Sequence, residues 1–331
     1  MAREIVCSGI RPTGNLHLGN YFGALRNFVK MQQEHDCFFF VADYHSLTTH
    51  PTPEHLYQNA RQILIQYLAC GLDPEKSTIY LQSDLPETIE LYLFFNMNAY
   101  LGELERVTSF KDKVRQQPNN VNAGLLTYPT LMAADILLYQ ADLVPVGQDQ
   151  KQHVELCRDI AARFNGVYSD TFTLPEPFIP KMGTRIMSLG DPSSKMSKSD
   201  PDGCVFLMDK PEDIMRKFKR AVTDCETCVK YDKENKPGIS NLLDIYCTAT
   251  GKSIAEAELD FADQGYGVFK PAVGEAVVDT LAPIQAEAKR ILADKAYLQE
   301  VYRDGAERAG AVARKTLRKV YKKIGFVEKP F

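Results

Sequence analysis

Hydrophobic and polar positions follow two different rhythms along this chain, and the change comes near residue 200. In the first part, short apolar runs at 4–8, 37–43 and 77–82 alternate with segments of helical spacing at 16–33 and 53–70, the second ending at Gly71. The run at 37–43 has no polar face, as expected of a strand covered on both sides. Two strand–helix–strand units in succession predict a parallel sheet wrapped by helices. Further helices are predicted at 88–104 and 124–139 and another inner strand at 143–146, while the polar stretch 110–122 reads as a mobile loop. Beyond Asp200 the strand signals stop, and 211–222, 241–248, 253–261, 270–293 and 306–324 all carry helical spacing. The expected fold class is α/β, a doubly wound parallel sheet with an all-helical C-terminal domain.

Length and composition narrow this picture without changing it. The 331 residues suit about two domains. Hydrophobic residues at 44% and charged ones at 25% are ordinary for a globular protein. No stretch approaches the ~18 apolar residues of a membrane span, and residues 1–10 lack the apolar core of a signal peptide. The chain is read as cytoplasmic, with no membrane partner. Its eight cysteines are scattered through mostly apolar segments, which favours reduced thiols over a disulfide framework. A net charge of −4 argues against general nucleic-acid binding but leaves room for a local basic face.

Chemistry concentrates at two places. Gly9, Gly14, Gly19 and Gly23 crowd the first strand–helix junction. Glycines there serve turn geometry, or let backbone approach a polyphosphate at a helix start. The spacing is neither that of a dinucleotide fingerprint nor that of a P-loop. His17 and Asn20, three residues apart, share one side of the helix start, where both side chains can donate to phosphate oxygens. The second place is Lys195-Met196-Ser197-Lys198-Ser199, two ammonium groups among small hydroxyl residues in a segment flanked by turn formers. A third feature, Asp135, stands in an otherwise apolar helix and reads first as a buried acid bonded by local donors.

In this order, Pro12-Thr13-Gly14-Asn15-Leu16-His17-Leu18-Gly19-Asn20 and Lys195-Met196-Ser197-Lys198-Ser199 resemble the two signature segments of the class I aminoacyl-tRNA synthetases. Gly102-Glu103-Leu104-Glu105-Arg106, Met132-Ala133-Ala134-Asp135-Ile136-Leu137, the run from Val144 to His153 and Lys236-Pro237-Gly238-Ile239-Ser240-Asn241 extend the likeness to the tryptophan-specific, bacterial-type branch, over nearly the whole chain. The resemblance implies a Rossmann-like catalytic domain at 1–192 with a dimer-interface insertion at about 85–140. It implies a Lys-Met-Ser-Lys-Ser loop and helical anticodon-binding domain at 193–294, and a C-terminal helix at 295–331 packing back on the catalytic domain. The implied reaction joins L-tryptophan to ATP as tryptophanyl-adenylate and transfers it to tRNA-Trp.

Residue roles follow from the resemblance as expectations. Lys195, Lys198, His17 and Asn20 are the catalytic set. ATP is expected at Arg11, Thr13, Gly19, Asn20, Asp149, Arg185, Ile186, Met196, Ser197 and Ser199 besides the two lysines, with Mg²⁺ on its phosphates and no protein-bound metal. Tryptophan is expected at Asp135, which would accept the indole N–H, within Met132, Val144, Val146, Cys7 and Gly9, with Tyr128 and Gln150 at the α-amino group and His45 at the edge. Cys7 and Arg11 depart from the branch, where many members carry an aromatic residue and a glutamine. Cys225-x-x-Cys228, with Cys204 and Cys247, is similar to an iron–sulfur set of some members but lacks their four-cysteine spacing. The resemblance also implies a homodimer, for which 91–101 is a candidate interface. The basic clusters Arg216-Lys217-Phe218-Lys219-Arg220 and Arg314, Lys315, Arg318, Lys319, Lys322 and Lys323 are either solvated faces or tRNA-phosphate contacts. Rival readings are a tyrosine-specific member and an adenylate-forming ligase that uses no tRNA.

Overall fold

A computed structural model describes residues 3–179 and 185–327. Five parallel strands form one sheet in the order β3-β2-β1-β4-β5: β1 (Ile5–Ile10), β2 (Asp36–Val41), β3 (Ser77–Leu81), β4 (Leu143–Pro145) and β5 (Glu176–Phe178). The period-two alternation of strand side chains divides the core between the two faces. Val6, Phe39, Val41 and Ile79 pack on one side with the Pro53–Ala69 helix and much of the C-terminal helical part. Cys7, Phe38, Phe40 and Tyr80 pack on the other with Pro86–Asn98, Ala123–Leu137 and Lys151–Tyr168. Gly9 pairs with Phe40 across β1 and β2, and a Cβ there would lie 2.5 Å from the Phe40 ring. The glycine is thus required by packing.

The chain runs β1, β2, β3 to one edge and then returns to place β4 on the other side of β1. Brought together at this reversal, the carboxyl ends of β1 and β4 form the crevice where open α/β sheets bind ligands.

Beyond β5 the described residues contain helices and no further strand of the sheet: Pro211–Arg220, Pro237–Thr250, Ile254–Asp260, Tyr266–Ala293 and Lys295–Ile324. The last lies along edge strand β3, covering an edge that would otherwise be open to pairing. Arg308 donates to the carbonyls of Pro74 and Ser77, Tyr321 Oη donates to Glu90, and Arg314 pairs with Glu87. Lys319 and Lys323 donate to Thr171 O and Ser169 Oγ. Three cations of this basic cluster therefore fasten the helix, in place of standing free for phosphate.

Four expectations are corrected. The predicted helix at 88–104 is two, Pro86–Asn98 and Leu101–Arg106, with extended Ala99 and Tyr100 between them. Residues 110–122 do not form one loop, because Thr108–Gln116 is helical. That helix fully buries no residue, and its half-buried side mixes apolar Phe110 and Val114 with polar Ser109 and Lys113, a faint stripe in a polar stretch. The helix Lys151–Tyr168 was not anticipated, although Val154, Cys157, Ile160, Ala161 and Phe164 give it a regular buried face. β5 is three residues long with Pro177 at its centre, a sequence tolerated at a sheet edge and nearly silent as a strand signal.

The tightest approach in the fold is where Gly305 of the final helix meets β3: a Cβ would sit 1.7 Å from the Ile79 carbonyl oxygen. Gly305→Ala is predicted to lower unfolding free energy by about 3 kcal/mol or more, as overpacking against backbone does. Urea unfolding of the two proteins side by side checks this, and equal midpoints would show that the helix does not seat on β3.

Candidate active site

After β1 the chain turns through Gly14, whose φ of +103° lies in the left-handed region that favours glycine. It re-enters a helix at Leu18–Asn20, which continues as a π-segment, Tyr21–Leu25, into Arg26–Met31. His17 sits at the cap, and its backbone N–H donates to Asn20 Oδ1 at 3.1 Å. The Asn20 oxygen is therefore used in holding the helix start, and only its NH₂ remains to donate outward. Gln66 accepts from the Leu16 N–H at 3.0 Å, fixing the turn to the Pro53–Ala69 helix.

The second segment is bound to the first. Leu18 N donates to Val205 O and Leu207 N to Leu16 O, both at 2.9 Å, so residues just past the lysine loop braid with the helix start. Met196 is 2% exposed and its N–H donates to Ile186 O, which makes Met196 and Ile186 anchors of the loop. Asn241 holds the preceding strand-like piece, accepting from Met187 N at 2.9 Å and donating to Met187 O at 3.1 Å. From this frame Lys198 reaches Thr13 Oγ1 at 3.2 Å and Gly14 O at 2.9 Å, across 184 positions of sequence. Lys195, Ser197, Ser199 and Arg185 are exposed around it, with Ser197 and Ser199 hydroxyls 2.9 Å apart.

Positive charge in this cleft is poorly solvated. Burial pulls the Lys198 ammonium down to about 8, with Arg11 acting in the same direction. Lys113 is likewise pulled down to about 8 by burial and by Arg11, and its ammonium stands 3.5 Å from the centre of the Tyr128 ring. Arg11 Nε and Nη2 are buried without a hydrogen-bond partner among the described residues. His17 falls to about 4 because of burial and then of Lys198 and Lys195, so its imidazole is neutral at physiological pH. Lys113 was missed from sequence because 110–122 was read as a loop, although Phe110 and Val114, four positions apart, carry helical spacing there.

At the other end of the site stands a buried acid with one donor on each carboxyl oxygen. Asp135, 3% exposed, accepts from His45 Nε2 at 2.9 Å on one oxygen and from Gln82 Nε2 at 2.7 Å on the other. Burial raises its carboxyl above the ordinary value, and the bonds from His45 and Gln82 oppose that rise. Cys7 Sγ, fully buried, donates to Asp135 O at 3.5 Å. Val144 is buried, and Met132 and Val146 are half-buried against the same core. Tyr128 Oη bonds His153 Nε2 at 2.6 Å and Ser109 Oγ, and His153 Nδ1 bonds Gln150 Oε1 at 2.8 Å, so Tyr128 and Gln150 belong to one network. Gln82, Ser109 and His153 were not anticipated. The Asp149 side chain lies outside the described residues, and Gly19 packs under His17, a Cβ there lying 3.0 Å from the ring.

Three other expectations concern surfaces. Lys217 is not a free cation: it bonds Asp209 Oδ2 at 2.8 Å and Cys204 O at 2.7 Å. Lys219, Arg220, Lys315, Arg318 and Lys322 are exposed. Leu91 and Phe95 point into the core while Leu93, Met97, Tyr100 and Leu101 are exposed. Cys225 and Cys228 are exposed and Cys204 is buried, and no group of three metal-ligating side chains occurs among the described residues.

Comparison with known proteins agrees with this geometry. Residues 2–282 match the family model described as tRNA synthetases class I (W and Y). A Clostridium tetani protein named tryptophan–tRNA ligase is 51% identical, over 98% of this chain and 96% of its own length. The crystal structure of tryptophanyl-tRNA synthetase from Mycoplasma pneumoniae has a TM-score of 0.90 at 37% identity, covering 98% of both chains. The Campylobacter jejuni tryptophanyl-tRNA synthetase, complexed with ADP and tryptophan, has a TM-score of 0.85 at 35% identity, covering 97% of this chain and all of that one. With cation-rich and acidic ends of one cleft built from the matching segments, the chain belongs to the class I tRNA synthetases for tryptophan and tyrosine.

Proposed function

We propose that this protein is a tryptophan–tRNA ligase. It activates L-tryptophan with ATP and transfers the product to the 3′-terminal ribose of tRNA-Trp. The observation that carries the chemistry is the reach of Lys198 onto Thr13 and Gly14, which closes the lysine loop over the turn after β1. The tryptophan side rests on the buried Asp135 carboxylate and on the likeness to relatives of that name.

In the first half-reaction a tryptophan carboxylate oxygen attacks the α-phosphorus of ATP, an O–P bond forms, and the bond to pyrophosphate breaks. The nucleophile is already ionised, so no strong base is needed, and the protein contributes alignment and stabilisation of charge on the leaving group. Lys198 and Lys195 supply mobile positive charge from the loop, and Lys113 and Arg11, which feel each other's charge, add to it. Neutral His17 donates an N–H to a phosphate oxygen, as does the Asn20 amide. Thr13, Gly19, Ser197 and Ser199 border the nucleotide, and Mg²⁺ arrives with the phosphates. Asp135 accepts the indole N–H, with Met132, Val144, Val146, Cys7 and Gly9 around the ring, while the Tyr128–His153–Gln150 network faces the α-amino group. A carboxylate acceptor buried this way should reject phenylalanine by roughly 10⁴-fold, as sites built to bond a substrate N–H or O–H do.

The unit in solution is proposed to be a homodimer joined through the exposed face of Leu93, Met97, Tyr100 and Leu101, an apolar grouping unusual on a free surface. The exposed cations of the Pro211–Arg220 helix and of the final helix are proposed to meet tRNA phosphates.

ATP–pyrophosphate exchange with each of the twenty amino acids is expected to respond to tryptophan alone. Exchange with tyrosine would move the pocket assignment to the sister specificity, and silence with all twenty would remove the activity. Lys198→Ala is expected to lower the exchange rate by about 10²-fold or more, the scale of losing one transition-state charge contact. The depressed lysines also set a pH dependence. Lys113 and Lys198 carry charge below their values of about 8 and lose it above them, so kcat/KM for ATP should fall as pH rises through about 8. A profile flat to well above that point would show that these ammonium groups do not bind phosphate. Neutral His17 adds no acid limb until pH nears 4.

A further inference from the structure

The Asp135 carboxylate has two protein donors, and the second has no role in the reading above. Gln82 follows β3 in a short 3₁₀ turn, Gln82–Asp84. Its side chain is fully buried, and its Nε2 donates to Asp135 Oδ1 at 2.7 Å. His45, from the short Asp43–Ser46 helix after β2, takes the other oxygen, Oδ2, at 2.9 Å. The two donors come from the ends of different strands and reach a third element, the Ala123–Leu137 helix that carries Asp135. A carboxylate gripped on both oxygens cannot rotate about its terminal bond without breaking one contact.

Gln82 is bonded on one end only. Its Oε1 is buried and has no hydrogen-bond partner among the described residues. A buried amide oxygen left unpaired is costly, because it forfeits its hydrogen bonds to water without replacing them. Turning the amide over would point Oε1 at Asp135 Oδ1, oxygen against oxygen, so the orientation seen is the one the carboxylate imposes. A purely structural glutamine would be expected to satisfy both of its ends. This one leaves an acceptor unsatisfied in order to donate to Asp135.

We infer that Gln82 is a positioning residue for substrate recognition: with His45 it locks the Asp135 carboxylate so that a remaining lone pair meets the N–H of the aromatic side chain. The inference rests on the assignment of Asp135 to the indole N–H and adds a determinant of selectivity outside the pocket wall. An ionised carboxylate offers about four acceptor directions, and the two protein donors use two. What stays available is a fixed direction, which discriminates a ring N–H better than a mobile one.

The experiment compares tryptophan with its benzothiophene analogue, in which sulfur replaces the indole N–H, by ATP–pyrophosphate exchange. The variants are Gln82→Met, close in length and without a donor, and Asp135→Asn. Gln82→Met is expected to cut kcat/KM for tryptophan by about 10-fold or more, the scale of one hydrogen bond to a charged group. It should leave the analogue nearly unchanged, so the preference for tryptophan falls, and the KM for ATP should stay within about 2-fold, well inside one hydrogen bond. A general packing defect would lower both amino acids together, and that result would overturn the inference, as would an intact preference. Asp135→Asn separates the two layers. If it abolishes the preference while Gln82→Met does not, the Gln82 role alone fails; if Asp135→Asn keeps the preference, the assignment of Asp135 fails first.

Discussion

Burial of positive charge with no ion pair among the described residues is the constraint around which this site is built. Arg11 has two buried nitrogens with no hydrogen-bond partner among the described residues, and Lys113 and Lys198 are both held near 8 chiefly by loss of water. Desolvating a cation is costly unless an opposite charge arrives, so such a cluster is destabilising by itself and favourable once phosphate fills it. The same loss of water strengthens each contact to the transferring group, which is the condition for electrostatic catalysis. A surface cluster of the same lysines would be screened and worth little.

The rest of the fold can be understood as support for that arrangement. The reversal of strand order at β1 opens the crevice, and Gly14 turns the chain sharply enough for Lys198 to meet the backbone. The helical part is tied to the cleft by Asn241, which grips Met187 on both its N–H and its carbonyl. That grip ties the Pro237–Thr250 helix to the segment that leads into the lysine loop. At the far end, Asp135 shows the opposite electrostatic solution, a buried carboxylate met on both oxygens. The site thus pairs a hydrogen-bonded carboxylate at one end with poorly solvated cations at the other.

How much of this was legible depends on whether a feature leaves a local trace. The apolar runs of β1 to β3 and the helices after Asp200 are visible because burial forces a repeat. Lys195, Lys198 and His17 are visible because their spacing is a recognisable pair of segments. Gln82 is not, since one glutamine after a strand has no pattern and its value comes from Asp135, 53 positions away. Lys113 was hidden because its helix is short and buries no residue, so Phe110 and Val114 alone carry the helical spacing in a polar stretch. The basic face of the final helix was misjudged in part for a related reason: Arg314, Lys319 and Lys323 spend their charge on Glu87, Thr171 and Ser169, partners remote in sequence.

The most direct measurement is thermal unfolding as a function of inorganic pyrophosphate with Mg²⁺, in the unmodified protein and in Lys198→Met. If the unpaired cations await phosphate, pyrophosphate raises the melting temperature of the unmodified protein, by mass action on the folded state. The rise should shrink sharply in the variant. An equal rise in both proteins, or none in either, would contradict the account that buried positive charge at the end of β1 is what the ligand completes.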